Sequence, residues 1–171
     1  MRFAFEHSVG VPPAQVVTAY GTPAFYEGRP PRDDIAVLEV VNHEDRGDQV
    51  LIEVHFAFTG SVSAAVRKVI DQTKMSWVTR TVIYPDEYRT SWVVLPDHYP
   101  DRLTSSGTHR FAPAADDDDA TATATVVHVE GELKVHVPIV GRSVERVIVN
   151  GLRDYIEDEV ASIPDVRRPR P

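Results

Sequence analysis

The chain has 171 residues, 42% of them apolar, a formal net charge of −8 at pH 7 and no cysteine. This size and composition suit one globular domain with its own core, and disulfides, thiolate catalysis and cysteine-ligated zinc are excluded. The negative charge disfavours a nucleic-acid partner, because phosphate binding needs clustered lysine and arginine. No apolar run approaches the ~20 residues that span a bilayer. We therefore expect no stable membrane insertion and, without an export signal, a cytoplasmic protein.

The first part of the chain predicts a strand followed by two short helices. Residues 2–9 alternate between apolar and polar side chains, which is the period of a strand. Two prolines then open "PPAQVVTAY", a helical pattern that Gly21 can cap. "TPAFYEG" predicts a second short helix, with threonine and proline at its start.

The middle of the chain predicts antiparallel hairpins. "IAVLEVVNHED" and "QVLIEVHFAF" flank a turn at "RGD", and "MSWVTRTVIY" and "YRTSWVVL" flank a turn at "PDE". Between the hairpins, residues 61–70 have apolar side chains at helical spacing. This short helix has two interpretations, a lid over a binding site or a connector packed on the sheet. A further strand, "LTSSGTHRFAP", follows the second hairpin.

The last predicted strand, from about residue 121, runs directly into the longest predicted helix. Apolar and polar residues alternate up to Val137, and Pro138 ends the strand. After it the apolar residues from Val140 to Ile156 form one broad helical arc, which includes Val147. An antiparallel sheet needs an apolar cover on one face, and this helix is the only large one available. Because a twisted sheet cannot lie flush on a straight helix, we expect a gap between them.

Two segments carry a family resemblance, "FAFEHSVGVPPAQVVTAYGTPAFYE" near the start and "VPIVGRSVERVIVNGLRDYIEDEV" near the end. The chain resembles the START-like superfamily, which includes lipid-transfer domains and polyketide aromatase/cyclases, and within it an uncharacterised bacterial family. The resemblance implies an α+β helix-grip fold. In that fold a curved antiparallel sheet of six or seven strands wraps around a long C-terminal helix, with two short helices after the first strand. It implies a single START-like domain over residues 1–163 and a hydrophobic tunnel between sheet and helix. The basic residues 164–171 are expected to form a flexible tail.

The first functional hypothesis is that the tunnel binds or carries a small hydrophobic molecule, such as a lipid or a polyketide-like compound. Burial of apolar ligand surface gains roughly 25 cal/mol per Å² and needs few polar groups. Eight residues are expected to line the tunnel: Phe56, Trp77, Trp92, Leu133, Val144, Ile148, Leu152 and Tyr155. The two tryptophans and their aromatic neighbours suit a pocket wall, and they suit an ordinary core equally well.

The alternative hypothesis is a cyclase- or hydrolase-type enzyme acting in the same pocket. It requires at least two polar groups that converge on one point. The candidates are His109, Glu145 and Arg89. Each also has a structural interpretation, as a core histidine, a carboxylate at the rim and a solvated strand arginine. A third hypothesis, a protein-binding module that uses the outer sheet face, is disfavoured by the alternating polar residues of that face.

Nucleotide-binding, hydrolase and zinc-protease signatures are missing from the sequence, so we expect no cofactor and no metal. Four carboxylates crowd the end of the last helix, Asp154 and residues 157–159, where they oppose the helix dipole. Arg167 and Arg168 are the arginines expected to relieve this repulsion. Nothing in the sequence indicates an oligomeric state.

Overall fold

The fold was determined as a computed structural model, which describes residues 1–30, 32–61, 64–67, 71–114, 122–139 and 141–163. The described elements, in chain order, are β1 (Arg2–Val9), α1 (Pro13–Tyr20), α2 (Pro23–Glu27), β2 (Ile35–Asp45), β3 (Val50–Phe58), α3 (Ala64–Arg67), β4 (Ser76–Tyr84), β5 (Arg89–Pro96), β6 (Leu103–Pro113), β7 (Thr125–Val135) and α4 (Gly141–Ser162). Short 3₁₀ turns, Gln72–Lys74 and Pro85–Glu87, precede β4 and β5. Half of the predicted lid over residues 61–70, and the whole of the predicted tail, lie outside the described residues.

The seven strands form one antiparallel sheet in the order β1-β7-β6-β5-β4-β3-β2. This sheet, the two short helices after β1 and the long C-terminal helix confirm the predicted α+β helix-grip fold. No described helix is both long enough and apolar enough to cross a membrane.

The strand register defines an inner sheet face that α1 and α4 cover. On β7, Val127 and Val129 are completely buried, whereas Glu130 and Lys134 on the opposite face are exposed. The predicted half-buried strand is therefore confirmed. The pairing places matching inner residues of all strands in rows across the sheet, since side chains on one face of an antiparallel sheet stand opposite one another.

The long helix α4 packs closest against β1 and β7, at one side of the sheet. Its buried line runs through Glu145, Val149, Ile156 and Val160. The predicted apolar arc is therefore wrong, because it is rotated about the helix axis relative to the observed buried line. It included Val147, which is 69% exposed, and left out Val149, which is buried. A helical wheel identifies the apolar sector, but the neighbouring strands decide which part of it becomes fully buried.

Two glycines opposite each other on β6 and β7, Gly107 and Gly131, make room for large rings on the inner face. A Cβ at Gly107 would lie 2.5 Å from Cζ2 of Trp92 and 2.3 Å from the carbonyl oxygen of Glu130. A Cβ at Gly131 would lie 2.5 Å from Cζ of Phe3. The Phe3 and Trp92 rings consequently stack across the sheet, with centroids 6.4 Å apart and an interplanar angle of 19°.

We predict that Gly107→Ala lowers the free energy of unfolding by about 3 kcal/mol, because the new methyl group would overlap a backbone atom that cannot move aside. Gly10→Ala is the control, since a Cβ there has no atom within 4 Å among the described residues. Urea denaturation of both variants measures the difference. Equal stabilities would show that the sheet can open at Gly107 to admit a methyl group.

Candidate functional site

The inner face of the sheet is incompletely covered beneath α4. One row of inner residues consists of Leu133, Ser105, Val94, Thr79 and Val54, on β7, β6, β5, β4 and β3. The two outermost members are buried, with exposures of 3% and 2%, whereas Val94 and Thr79 in the middle are half-buried. Inner residues in the middle of a sheet should be the most buried ones if a helix packs directly on them.

The facing side of α4 shows the same incomplete burial. Val144, Ile148 and Leu152 are half-buried although they lie beside the buried line of the helix. Side chains on both layers thus keep accessible surface, which is the pattern that a gap between the layers produces.

The other predicted lining residues form aromatic groups around this region. Phe56 stacks on Trp77, with ring centroids 5.8 Å apart, and contacts Tyr155 edge-on at 6.2 Å. Trp92 stacks on Phe3 at the β1 side. The structure thus places Phe56, Trp77, Trp92 and Leu133 on the inner face of the sheet, and Tyr155 on the side of α4 that faces β3.

His109 is the predicted polar candidate that faces this interior. It is buried, with 7% exposure, among Tyr20, Trp92 and Phe111. Its Nδ1 is 3.0 Å from Oγ1 of Thr90, the residue paired with it on β5. Burial lowers the pKa of His109 to about 4, so the imidazole is neutral at pH 7.

Two ring nitrogens in this part of the interior lack a hydrogen bond to any described residue, Nε2 of His109 and Nε1 of Trp92. The two rings are neighbours, with centroids 6.3 Å apart. The indole extends over Gly107, because Cζ2, which is bonded to the same carbon as Nε1, lies where the Cβ of a larger residue would be. Buried polar groups in native structures are nearly always paired, so these two nitrogens are an exception.

The other two polar candidates do not meet His109. Glu145 is buried at the start of α4, where its Oε1 accepts a hydrogen bond of 3.0 Å from the backbone N–H of Val135. This hydrogen bond, helped by the amino group of Met1 at 3.6 Å, holds the pKa of Glu145 below its usual value. Arg89 lies on the outer sheet face, paired with Glu87 and stacked on the ring of Tyr84. The three candidates therefore do not converge on one point.

A buried polar cluster that sequence reasoning missed connects α1, the loop after α2, and α4. Nη1 of Arg29 donates to Oε1 of Glu159 at 2.7 Å and also to the hydroxyl of Tyr155. The hydroxyl of Tyr20 donates to Oε2 of Glu159 at 3.0 Å. The predicted repulsion at the end of α4 is thus relieved by Arg29, and by Arg32 at Asp158, whereas Arg167 and Arg168 lie outside the described residues.

The charges of this cluster are removed from water. The side chains of Arg29 and Glu159 are only 6% and 7% exposed. Burial raises the pKa of Glu159, and Arg29 and Tyr20 offset this effect only in part. Burial is the largest single effect and lowers the pKa of Arg29, but Glu159 together with Tyr155, Tyr20 and Tyr26 outweighs it, so the pKa is raised and the guanidinium stays protonated. Their separation by 130 residues explains why no local pattern indicated this pair.

We predict that Glu159→Gln lowers the free energy of unfolding by about 3 kcal/mol, because it leaves the guanidinium of Arg29 buried without a counter-charge. Asp158→Asn, one position away, is the matched control. Its carboxylate is 63% exposed, and removal of such a surface pair costs less than about 1 kcal/mol. Chemical denaturation compares the two variants, and equal losses would contradict a buried ionic role for Glu159.

We also predict that His109 makes the fold sensitive to acid. Its folded pKa of about 4 lies below the ordinary value of 6.5, so between these values the unfolded chain binds more protons and stability falls as the pH falls. The loss between pH 7 and pH 5 is about 2 kcal/mol. His109→Gln should abolish this loss in urea titrations, whereas His136→Gln, at an exposed position, should keep it. An unchanged loss in His109→Gln would show that another group causes it.

The comparisons with known proteins support the fold strongly and leave the activity open. The Thalictrum flavum norcoclaurine synthase in complex with dopamine and hydroxybenzaldehyde has a TM-score of 0.64 and 14% identity, with 99% of this chain and 89% of that chain covered. The Zhui aromatase/cyclase from Streptomyces sp. R1128 has a TM-score of 0.56 and 15% identity, with 98% and 95% covered. A START superfamily protein from Mycobacterium smegmatis has a TM-score of 0.56 and 14% identity, with 96% and 98% covered.

These structures confirm the predicted START-like resemblance, and at such identities they show the fold alone. No curated protein sequence is significantly similar to the chain. A family model described as "Protein of unknown function (DUF2505)" matches residues 4–165. Because this match covers nearly all of the sequence, the chain belongs to the DUF2505 family.

Proposed function

We propose that residues 1–163 form a single START-like domain that binds a small, largely apolar molecule between the sheet and α4. The observation that carries this proposal is the incomplete burial of side chains that face each other from the two layers, such as Val94 and Thr79 on the sheet and Ile148 and Leu152 on the helix. Apolar surface left open in this way is unfavourable in water. A ligand of matching shape would remove that penalty.

The expected gain is large enough for useful affinity. A ligand that buries roughly 300 Å² of apolar surface gains about 7 kcal/mol before the cost of association is subtracted. The aromatic rings of Phe56, Trp77 and Trp92 favour a flat or ring-containing molecule, since ring faces stack well on one another. The norcoclaurine synthase fold neighbour was solved with two small ring compounds, dopamine and hydroxybenzaldehyde, which supports this class by analogy.

The ligand should also carry a hydrogen-bonding group. Nε1 of Trp92 can only donate, and Nε2 of a neutral His109 donates or accepts according to its tautomer. A hydroxyl group of the ligand satisfies either combination, whereas a carbonyl oxygen satisfies only the tautomer in which Nε2 donates. The predicted catalysis would require Glu145 or Arg89 to converge with His109, and neither lies there. The proposal is therefore restricted to binding.

The experiment uses N-phenyl-1-naphthylamine, an apolar dye whose fluorescence rises when it leaves water. We expect the wild-type protein to bind the dye with micromolar affinity. Ile148→Trp should weaken binding at least tenfold, because the larger ring system would occupy the proposed binding space beside that half-buried residue. Val147→Phe, on the exposed side of the same helix, should leave the affinity unchanged. Thermal melts confirm that both variants are folded.

The two tryptophans of the chain provide a second readout, because both belong to the proposed lining. Their emission should change as the dye binds, through energy transfer to the naphthylamine. Native mass spectrometry of protein purified from its own host would then show whether a natural ligand copurifies. Failure of the wild-type protein to bind the dye, or equal affinity in the Ile148→Trp and Val147→Phe variants, would overturn the proposed site.

A further inference from the structure

The sheet ends at two edges among the described strands, β1 and β2, and these edges differ in character. On β2 the pairing with β3 skips Leu38 and Val41, so the strand has two irregularities in its register. Bulges of this kind twist an edge and prevent another strand from pairing with it. The β2 edge is therefore protected against pairing with a strand of a second copy.

The β1 edge has none of these protections. Its register with β7 is continuous over all eight residues, and the strand contains no proline. The side chains on its inner face are Phe3, Phe5, His7 and Val9, none of them an acid or a strong base. Natural sheets rarely leave a regular edge of this length exposed without a partner.

The backbone groups on the free side of β1 follow from the hydrogen bonds to β7. Met1 and Leu133 exchange both backbone hydrogen bonds: the amino group of Met1 donates to Leu133, and the N–H of Leu133 donates to the carbonyl of Met1 at 2.8 Å. In an antiparallel pair the residues that bond to the neighbour alternate along the strand. The odd-numbered residues of β1 therefore bond to β7, and the N–H and C=O groups of Arg2, Ala4, Glu6 and Ser8 point away from the sheet.

The helix α4 leaves this edge accessible. A groove of about 610 Å³ follows β1 and is lined by its consecutive residues 4–7, by residues 128–130 of β7, and by Arg153 and Glu157 of α4. The guanidinium of Arg153 lies 4.9 Å above the ring of Phe5 and shields the inner side of the strand. No hydrogen bond from a described side chain to the backbone of Ala4 or Glu6 is present.

We propose that the β1 edge is the interface between two copies of this chain, which pair through antiparallel β1 strands about a twofold axis at Ala4. In this register Ala4 lies opposite itself, and Arg2 of each copy lies opposite Glu6 of the other. Opposite charges directly across a strand pair are favourable, and a twofold interface requires this kind of self-complementarity. The Glu6 side chain is 71% exposed, so it can meet Arg2 while one oxygen keeps its 3.0 Å contact with Nδ1 of His128. The pairing does not depend on the proposed ligand site.

The charge pair can be tested by analytical ultracentrifugation. The measurement covers 1 to 200 µM protein at low ionic strength, and any purification tag is placed at the C-terminus. The wild-type protein should sediment as a dimer at the upper concentrations. Arg2→Glu and Glu6→Arg should each weaken dimerisation at least tenfold, because each places like charges opposite one another. The double variant should restore the dimer, since it exchanges the two charges. A monomeric wild type at 200 µM, or a double variant no better than the single ones, would overturn the proposal.

The backbone provides an independent test with a matched control. Ala4→Pro removes an N–H that the β1–β7 pairing does not use, so the domain should fold and the dimer should be lost. In Ser8→Pro the missing N–H also points outward, but in the proposed register residue 8 lies beyond the end of the other copy's strand. The Ser8→Pro protein should therefore dimerise like the wild type. A dimer that persists in Ala4→Pro would place the interface elsewhere.

Discussion

The position of α4 depends on two buried carboxylates near its ends. Glu145 accepts the N–H of Val135 at the end of β7, and Glu159 accepts hydrogen bonds from Tyr20 and Arg29. Fourteen residues separate them, which is about 21 Å along a helix. Between these two attachments one side of the helix packs on β1 and β7, while the side with Ile148 and Leu152 is only half-buried. The helix is held at both ends, and the side chains between them that face the sheet are only partly buried.

Apolar packing alone would not maintain this arrangement. A helix attracted only by hydrophobic contacts would settle onto the sheet until these side chains were covered, because each uncovered Å² of apolar surface costs free energy. Hydrogen bonds to Glu145 and Glu159 are directional and short, so they fix the distance of the helix ends from β7 and α1. The desolvation of the Arg29–Glu159 pair is the corresponding cost, and a solid core would not require it. A charged pair is therefore compatible with this apolar interior because it fixes the position of the helix end, which apolar contacts alone would not do.

The sequence was sufficient to predict the architecture and insufficient to predict these attachments. The alternation through Val127 and Val129 and the helical pattern after Pro138 are local signals, and each survives in the structure. The rotation of α4 was predicted incorrectly at Val147, because it depends on Glu145 reaching the amide of Val135. The role of Arg29 was invisible for a similar reason, since a loop arginine looks solvated until the fold brings Glu159 to it. Contacts between distant segments, rather than local periodicity, determine the candidate site.

The interior also differs between the two ends of the sheet. At one end, α1 covers the inner face, and Tyr20 contacts both His109 and Phe111 at 5.2 Å. At the other end, Leu103 and Trp77 are half-buried, in the row nearest the start of α4. An apolar molecule that enters from the second end would meet aromatic and aliphatic side chains first, and the unpaired nitrogens of Trp92 and His109 nearer the closed end. The buried nitrogens would then select for a hydrogen-bonding group at the leading end of the ligand, because an entirely apolar ligand would leave both unsatisfied.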